Sequence, residues 1–326
     1  MYMTGYGEDM QLKKESRSLG WLFLASMLIH ILVSLGNGLF EQKGIYMPVE
    51  SVLVLSELTI LVPAVIYVLI KRPNIVNDLG FRPIKAGTFF MCLLLTCLIL
   101  PVAGFFNVLS QLFVSNTMAQ MSDELLGGNN TVILILGAFY GPFCEEFVFR
   151  SVFASGYERI TGPLRAGLIS GMLFALVHMN VNQAAYAFVM GFVFCIINKA
   201  AGSVYPSMII HICINALNLG LIMIIGSVYE STGLEADIAE TAEMARNSDL
   251  LYTQIGIMLV FAVICTVIAI PCVVFVAKHE ENHDRLYEMF TSGYPKGNWM
   301  SAPLATGIII VLFIMFGLKT LLTHIS

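Results

Sequence analysis

Residues 141–150 read GPFCEEFVFR and place two adjacent carboxylates and an arginine inside an apolar segment that runs from Thr131 to about Ser155. A charged side chain at the centre of a bilayer costs about 2.5–3.5 kcal/mol of insertion free energy. Three such side chains together are therefore expected to form ion pairs or to serve a function. The segment therefore predicts a functional site inside a membrane. The alternative interpretation is a structural ion pair that only fixes helix packing.

Helical geometry separates the three charged side chains. Glu146 and Arg150 are four residues apart, so they share a helix face, with the acid in the better position for pairing. Glu145 lies about 100° around the helix from Glu146, because an α-helix has about 3.6 residues per turn. We therefore expect Glu146 and Arg150 to pair and Glu145 to face another partner. Pro142 has no N–H group and is expected to weaken or kink this helix one turn before the acids.

The composition excludes an ordinary soluble globular protein, since 57% of the 326 residues are hydrophobic and only 12% are charged. It predicts an all-α, polytopic helical membrane protein. We expect about nine transmembrane helices, and we take the first as a spanning helix because a small-residue cleavage site does not follow it. All seven cysteines fall in apolar segments, which does not suggest a disulfide framework. The predicted spans lie near 20–40, 50–70, 87–113, 131–155, 164–179, 183–198, 204–228, 251–277 and 303–322.

The loop charges predict the orientation. If the N-terminus is cytoplasmic, the cytoplasmic loops are basic and the opposite loops are acidic, as the positive-inside rule requires, so we expect an N-in, C-out arrangement. The acidic segment 229–249 is predicted to be a surface helix or a mobile loop. We divide the chain into N-terminal helices (1–125), a catalytic core (126–228), and an acidic external loop with the last helices (229–326). The cytoplasmic basic residues would be Lys71, Arg72, Arg82, Lys85, Arg159, Arg165, Lys199, Lys278, Arg285 and Lys296.

Two further predicted spans carry polar side chains one helical turn apart. One contains Phe174 and His178, and the other contains His211 and Asn215. A lone intramembrane histidine is more often a packing residue than a catalytic one. Two histidines, an asparagine and the Glu-Glu-x-x-x-Arg motif on three spans together supply a base, a proton shuttle and N–H donors for an oxyanion. That set of groups is suited to hydrolysing an amide.

These motifs, in this order on successive spans, resemble the three signature motifs of the CPBP family, the type II CAAX prenyl endopeptidases and their bacterial relatives. The resemblance covers about residues 125–220, and Leu79-Gly80-Phe81-Arg82 is also similar to the bacterial members. It implies that Glu145 activates a water with His178, and that His211 and Asn215 stabilise the oxyanion. Glu146, Arg150 and Phe174 would support this site.

The resemblance implies a membrane-anchored peptide or protein substrate that enters from the lipid bilayer. The family name implies prenylated CAAX tails, whereas bacterial members are linked to peptide maturation and bacteriocin self-immunity, so the substrate stays open. We expect an integral protein of a bacterial plasma membrane with no nucleic-acid partner. The alternatives are a proton-coupled transporter with a Glu and His relay, or a non-catalytic scaffold that binds a membrane partner in the same cavity.

The metal requirement is a separate question. Glu145, His178 and His211 could form a three-ligand zinc site, but the base would then have to be found elsewhere. A metal-free site uses Glu145 as base and leaves the two histidines and Asn215 their own roles, so we expect no cofactor, with zinc as the alternative. The sequence 279–283 matches the zinc-protease pattern HExxH, but its charged neighbours favour a solvated loop.

Depth within the bilayer poses a difficulty for this site. Glu145 is expected near mid-depth, whereas His178 and His211 lie about 21 Å and about 8 Å from the expected starts of their helices, at about 1.5 Å per residue. They can meet only if these helices are tilted or begin at different depths.

Overall fold

The computed structural model describes residues 5–232, 238–291 and 297–317, and in these ranges the chain forms helices and loops without a β-strand. A single helix, α6, runs through the central motif, and we number the helices in chain order. They are α1 (Gly5–Gln42), α2 (Val49–Lys71), α3 (Ala86–Ser110), α4 (Thr117–Gln120), α5 (Ser122–Leu126), α6 (Asn130–Thr161), α7 (Pro163–Val177), α8 (Val181–Ala201), α9 (Tyr205–Thr232), α10 (Ile238–Arg246), α11 (Leu250–His279), α12 (His283–Thr291) and α13 (Ala302–Gly317).

The apolar helices confirm a polytopic helical membrane protein. A helix occupies most of each predicted span, and among the described residues 7 of these helices are long and apolar enough to cross a membrane. The other two, α7 and α13, are shorter; α7 has 15 residues and reaches about 22 Å, less than the roughly 30 Å of a hydrocarbon core. The count of nine spans and the N-in, C-out orientation remain predictions. Residues 318–322 of the last predicted span lie outside the described residues.

The acidic segment 229–249 is partly helical. α9 extends to Thr232, and α10 follows as a short amphipathic helix. Arg246, at the end of α10, donates a hydrogen bond to the backbone oxygen of Gln111, 2.9 Å away, and so ties this segment to the end of α3. Residues 233–237 and 292–296, which include the loop charges Glu235, Asp237 and Lys296, lie outside the described residues.

α6 is continuous but not uniform. It adopts the wider π-helical form at Leu136–Tyr140 and again at Glu146–Ala154, on either side of an α-helical turn at Gly141–Glu145. Pro142 cannot donate a hydrogen bond to the turn before it, and that turn is one of the two π-helical ones. The helix predicted to weaken or kink at Pro142 therefore stays unbroken and forms π-helical turns instead. Such turns often occur at functional sites.

Two glycines bring α7 and α8 into backbone contact. A Cβ added to Gly191 would lie only 2.7 Å from the Cα of Gly171, and a Cβ on Gly171 would lie 2.9 Å from the carbonyl oxygen of Phe188. Small residues permit such close approach between helices in membranes. This contact fixes α7, which carries Phe174 and His178, against its neighbour.

The last helix closes the bundle. α13 packs against α1, and Ser16 of α1 donates a hydrogen bond to the backbone oxygen of Trp299 just before α13, 2.9 Å away. Gly20 faces Leu304 at this contact. α13 therefore packs directly on the N-terminal helices. This contact sets the position of the last predicted span, which lies outside the motifs.

Candidate active site

The predicted pair of Glu146 and Arg150 forms inside the protein. Arg150 Nε lies 3.2 Å from Glu146 Oε2, and the side chains are 1% and 0% exposed, so both charges are withdrawn from solvent. The guanidinium group also lies over two aromatic rings, with its carbon 4.3 Å from the centre of Phe174 and 5.3 Å from that of Phe194. The ion pair and these cation–π contacts together stabilise a buried positive charge.

His211 joins the two acidic residues. Its Nδ1 lies 2.9 Å from Glu146 Oε1, and its Nε2 lies 3.5 Å from Glu145 Oε2. Glu146 therefore contacts both Arg150 and His211. The helical-face argument placed Glu145 away from this pair, and in the structure Glu145 faces the histidines instead.

His178 occupies the cap position at the end of α7. Its Nδ1 lies 2.8 Å from the backbone oxygen of Phe174, and its Nε2 lies 3.7 Å from Glu145 Oε1. The chain then turns sharply, because Met179 has φ of 50°, a left-handed conformation that non-glycine residues rarely adopt. Asn180 donates to the His178 backbone oxygen at 3.0 Å and caps the start of α8. The turn therefore holds the imidazole at a fixed place.

The hydrogen-bond partners assign the protons on both imidazoles. A backbone carbonyl and a carboxylate are acceptors, so the Nδ1 atoms of His178 and His211 carry the hydrogens. Each Nε2 is then directed at a different oxygen of Glu145. Two acceptors at 3.5–3.7 Å repel each other unless a proton or a donating molecule lies between them, so the arrangement is suited to holding a water.

Glu145, His178 and His211, which were expected at different depths, lie close together in the structure. The Nε2 atoms of His178 and His211 are 3.7 Å and 3.5 Å from the Glu145 carboxylate oxygens. α7 is short and delivers His178 at its end. The start of α9 is fixed by the segment 79–82: Val204 donates to the Gly80 oxygen at 2.9 Å, and Ser203 Oγ donates to the Arg82 oxygen at 2.6 Å. This segment therefore determines where the helix that carries His211 begins.

Asn215 lies one turn beyond His211 on α9, as predicted. Its side-chain amide donates to the backbone oxygen of Gly137, 3.1 Å away, in the first π-helical turn of α6. One of its two N–H groups is thus engaged by the backbone. Its role as an oxyanion donor stays a prediction that depends on the other N–H group.

Two residues near the site were missed in the sequence. Glu57 of α2 packs beside Gly141, one turn before Glu145: a Cβ built at Gly141 would lie 3.5 Å from Glu57 Oε1. Its Oε2 is shielded and has no hydrogen-bond partner in the described part of the chain. The Nδ1 atom of His30 in α1 lies 2.8 Å from Thr59 Oγ1 of α2. Both interrupt long apolar runs, the same signal that drew attention to Glu145.

The reacting side chains of the site are largely buried but keep part of their surface exposed. Glu145, His178 and His211 keep 13%, 16% and 10% of their side-chain surface exposed, so a water molecule can touch each of them. Glu146, by contrast, is fully buried. This difference in exposure matches the division between a reacting carboxylate and a supporting one.

The metal requirement stays a prediction, with zinc as the alternative. Within residues 5–232, 238–291 and 297–317, no group of three or more His, Cys, Asp or Glu side chains has the geometry to hold a metal ion. At the HExxH sequence, Glu280 accepts hydrogen bonds from the Lys85 backbone N–H at 2.8 Å and from Thr88 Oγ1 at 2.5 Å. His279 stacks on Phe275. That sequence therefore fastens the end of α11 to the start of α3.

Residues 127–217 match the family model described as type II CAAX prenyl endopeptidase Rce1-like. Over 85 residues the chain is also 29% identical to the Bacillus subtilis (strain 168) protein named "Putative membrane peptidase YdiL". Residues 127–217 are therefore similar to the type II CAAX prenyl endopeptidase family. The alignment with the Bacillus protein covers 26% of this chain and 34% of the relative, so the chain spans about a third of the length of that relative. No solved structure gives a significant match.

The matched segment 127–217 contains every site residue that the sequence predicted: Glu145, Glu146, Arg150, Phe174, His178, His211 and Asn215. His30, Glu57 and the segment 79–82 lie outside it. The N-terminal region therefore contributes contacts to a site whose motifs all lie in the matched segment 127–217.

Proposed function

We propose that this protein is an intramembrane endopeptidase that hydrolyses a peptide bond of a membrane-associated protein or peptide with a water activated by Glu145. The observation that carries the proposal is the position of Glu145, whose two carboxylate oxygens lie 3.7 Å and 3.5 Å from the Nε2 atoms of His178 and His211. The match of residues 127–217 to an endopeptidase family supports the same reaction class.

The two histidines have different partners and hence different roles. His178 donates from Nδ1 to a neutral carbonyl, so its neutral form presents a lone pair at Nε2 and can accept a hydrogen from the same water as Glu145. His211 donates from Nδ1 to the Glu146 carboxylate, which fixes the orientation of the ring. His211 with both protons presents an N–H at Nε2, which is the group an oxyanion needs.

The reaction then proceeds in two steps. The water gives one proton to Glu145, its oxygen bonds to the carbonyl carbon of the substrate, and the electron pair of the C=O bond moves to the oxygen. The oxyanion accepts a hydrogen bond from His211, and from Asn215 if its second amide N–H faces the site. When the carbonyl re-forms, the C–N bond breaks and Glu145 returns its proton to the leaving amine, which yields a carboxyl and an amine product.

Glu146 and Arg150 support the site without taking part in the chemistry. Glu146 is fully buried and joins Arg150 to His211, so it orients the imidazole and balances its charge. Arg150 in turn offsets the cost of burying that carboxylate.

The test is peptide cleavage by purified protein in lipid nanodiscs, with quenched fluorescent peptides tethered to a lipid anchor. We expect Glu145→Gln to lower turnover by at least about 10³-fold while leaving the fold intact, because the amide cannot accept the proton of the water. Glu124→Gln, which removes an exposed acid of the short helix α5, is the matched control and should leave turnover unchanged.

The same assay decides the metal question and the chief rival. Activity should survive prolonged chelation. Activity that vanishes with the chelator and returns with stoichiometric zinc would make Glu145, His178 and His211 zinc ligands and overturn the metal-free mechanism. A folded protein that cleaves no tethered peptide but carries protons across liposome membranes, with the flux abolished by Glu145→Gln, would replace the protease with a proton-coupled transporter.

A further inference from the structure

A cavity of about 180 Å³, separate from the Glu145 site, opens where several helix ends meet. It lies between the loop after α2, the end of α6, the start of α7, the turn between α8 and α9, and α12. The loop charges predict that these connections are cytoplasmic. The cavity therefore lies at one membrane surface, at the level where lipid headgroups are found.

The charges around this cavity are predominantly positive. Arg82, Lys199 and Arg285 line it, with Arg150 in its wall, against the two acids Asp78 and Glu158. Lys199 is neutralised by its ion pair with Glu158. Asp78 accepts a hydrogen bond from the Asn74 backbone N–H, 2.7 Å away, and forms no ion pair within the described ranges.

Two guanidinium groups are left without a carboxylate. Arg82 donates from Nη2 to Asn77 Oδ1 at 2.8 Å, and that partner is a neutral amide. Arg285 forms no ion pair with any residue that the structure describes. A guanidinium presents several N–H donors in a planar fork that matches the oxygens of a phosphate group. Arg82 and Arg285 can therefore donate hydrogen bonds to an anion in this cavity.

One helix end adds to the positive potential. α7 begins at Pro163, which lines the cavity, and no side chain caps the first N–H groups of this helix. α9 begins just after Gly202, Ser203 and Val204, which also line it. The N-terminus of a helix carries a partial positive charge and unpaired N–H groups. The start of α7 therefore adds partial positive charge to the space that the arginines border. The first N–H groups of α9 are already taken, because Tyr205 N–H donates to Ser203 Oγ and Ser207 N–H donates to Asn198 Oδ1.

We infer that this cavity binds a phosphate-type anion, held by Arg82 and Arg285. Its volume of about 180 Å³ is many times the ~10–15 Å³ that one water molecule needs, so a phosphate group can enter it. The anion can come from the headgroup of an anionic phospholipid or from free phosphate, and the position at the predicted membrane surface favours the lipid. This inference does not depend on the proposed protease activity.

The test is native mass spectrometry of the detergent-purified protein, titrated separately with phosphatidylglycerol, with phosphatidylcholine of the same acyl chains, and with inorganic phosphate. The wild type should bind one phosphatidylglycerol more tightly than phosphatidylcholine. The double variant Arg82→Gln/Arg285→Gln should bind it at least fivefold more weakly. Lys71→Gln/Lys278→Gln removes the same charge from the same predicted face, outside the cavity, and should bind like the wild type.

The outcomes separate the two sources of the anion. Millimolar phosphate that binds the wild type but not the Arg82→Gln/Arg285→Gln variant, with no preference between the two lipids, would support the anion site and assign it a soluble ligand. Equal binding of phosphatidylglycerol by the wild type and the cavity variant, with phosphate also binding both equally, would overturn the inference. A single symmetric elution peak for each variant establishes that it is folded.

Discussion

The guanidinium carbon of Arg150 lies 4.3 Å from the centre of the Phe174 ring. The same ring meets the imidazoles of His178 and His211 edge-on, with centroids 5.0 Å and 5.8 Å away. Phe174 is thus the shared packing partner of the ion pair and of both histidines. Because protein interiors are close-packed, a change in this ring is transmitted to all three side chains.

Phe174→Leu should therefore weaken both the fold and the site. It removes a desolvated cation–π contact and two aromatic contacts, which together should cost roughly 2–3 kcal/mol of unfolding free energy. We expect a lower thermal midpoint in detergent and peptide turnover reduced at least tenfold. Phe188→Leu, on the partly exposed surface of α8, is the control. Equal effects of the two substitutions would show that the position of Phe174 between the charged groups is unimportant.

Arg150→Ala should damage the fold more than Glu145→Gln does. The first substitution leaves the fully buried Glu146 carboxylate without its cation, at a cost of roughly 3–5 kcal/mol. The second keeps the shape of a side chain that is already partly exposed. The measurement is the yield of monodisperse protein after detergent extraction, together with the thermal midpoint. Similar yields for both variants would argue against a structural role for the ion pair.

Glu57→Leu should raise the thermal midpoint. Glu57 carries a shielded carboxylate oxygen that has no hydrogen-bond partner in the described residues, and leaving such an atom unpaired costs about 1–3 kcal/mol. Leucine has a similar volume and removes this cost. Glu50→Leu, at the exposed start of the same helix, removes the acceptor for the Asn129 N–H and should not stabilise the protein. A lower midpoint for Glu57→Leu would mean that the carboxyl group makes a stabilising contact.

Gly191→Val should separate α7 from α8 and displace the site. The added carbon atoms would collide with the Gly171 backbone and would lie within 3.4 Å of Arg150 Nη2. We expect a clear loss of folded protein or, if it folds, of peptide turnover, because α7 carries both Phe174 and His178. Gly220→Val on α9 has open space around it and is the matched control. Normal yield and turnover for Gly191→Val would show that the two helices can separate without consequence.

The spacing of the motifs predicted much of the site because helical periodicity is local. The residues four apart, Glu146 with Arg150, lie on one face in any helix, and the structure confirms their pairing at 3.2 Å. The apolar runs likewise predicted where helices form. Their ends were less accurate, because a helix end depends on capping and on neighbouring loops as well as on hydropathy.

The presence of Glu57 and His30 beside the site could not be read from the motifs. Each was visible as a polar residue in an apolar run, but only the packing of α1 and α2 against the core brings them near Glu145 and His178. The same holds for the proton positions on the histidines, since these depend on which acceptor each Nδ1 meets.

The sequence by itself determined the helical membrane fold, the motif residues and the separation of Glu145 from the ion pair, because these follow from hydropathy and from the turn of a single helix. Only the tertiary structure decided that His178, at the end of the short α7, and His211, within α9, reach the same carboxylate. The physical reason is that the depth and tilt of each helix are set by contacts between helices, such as Gly171 with Gly191 and Gly80 with Val204, which join residues far apart in the chain.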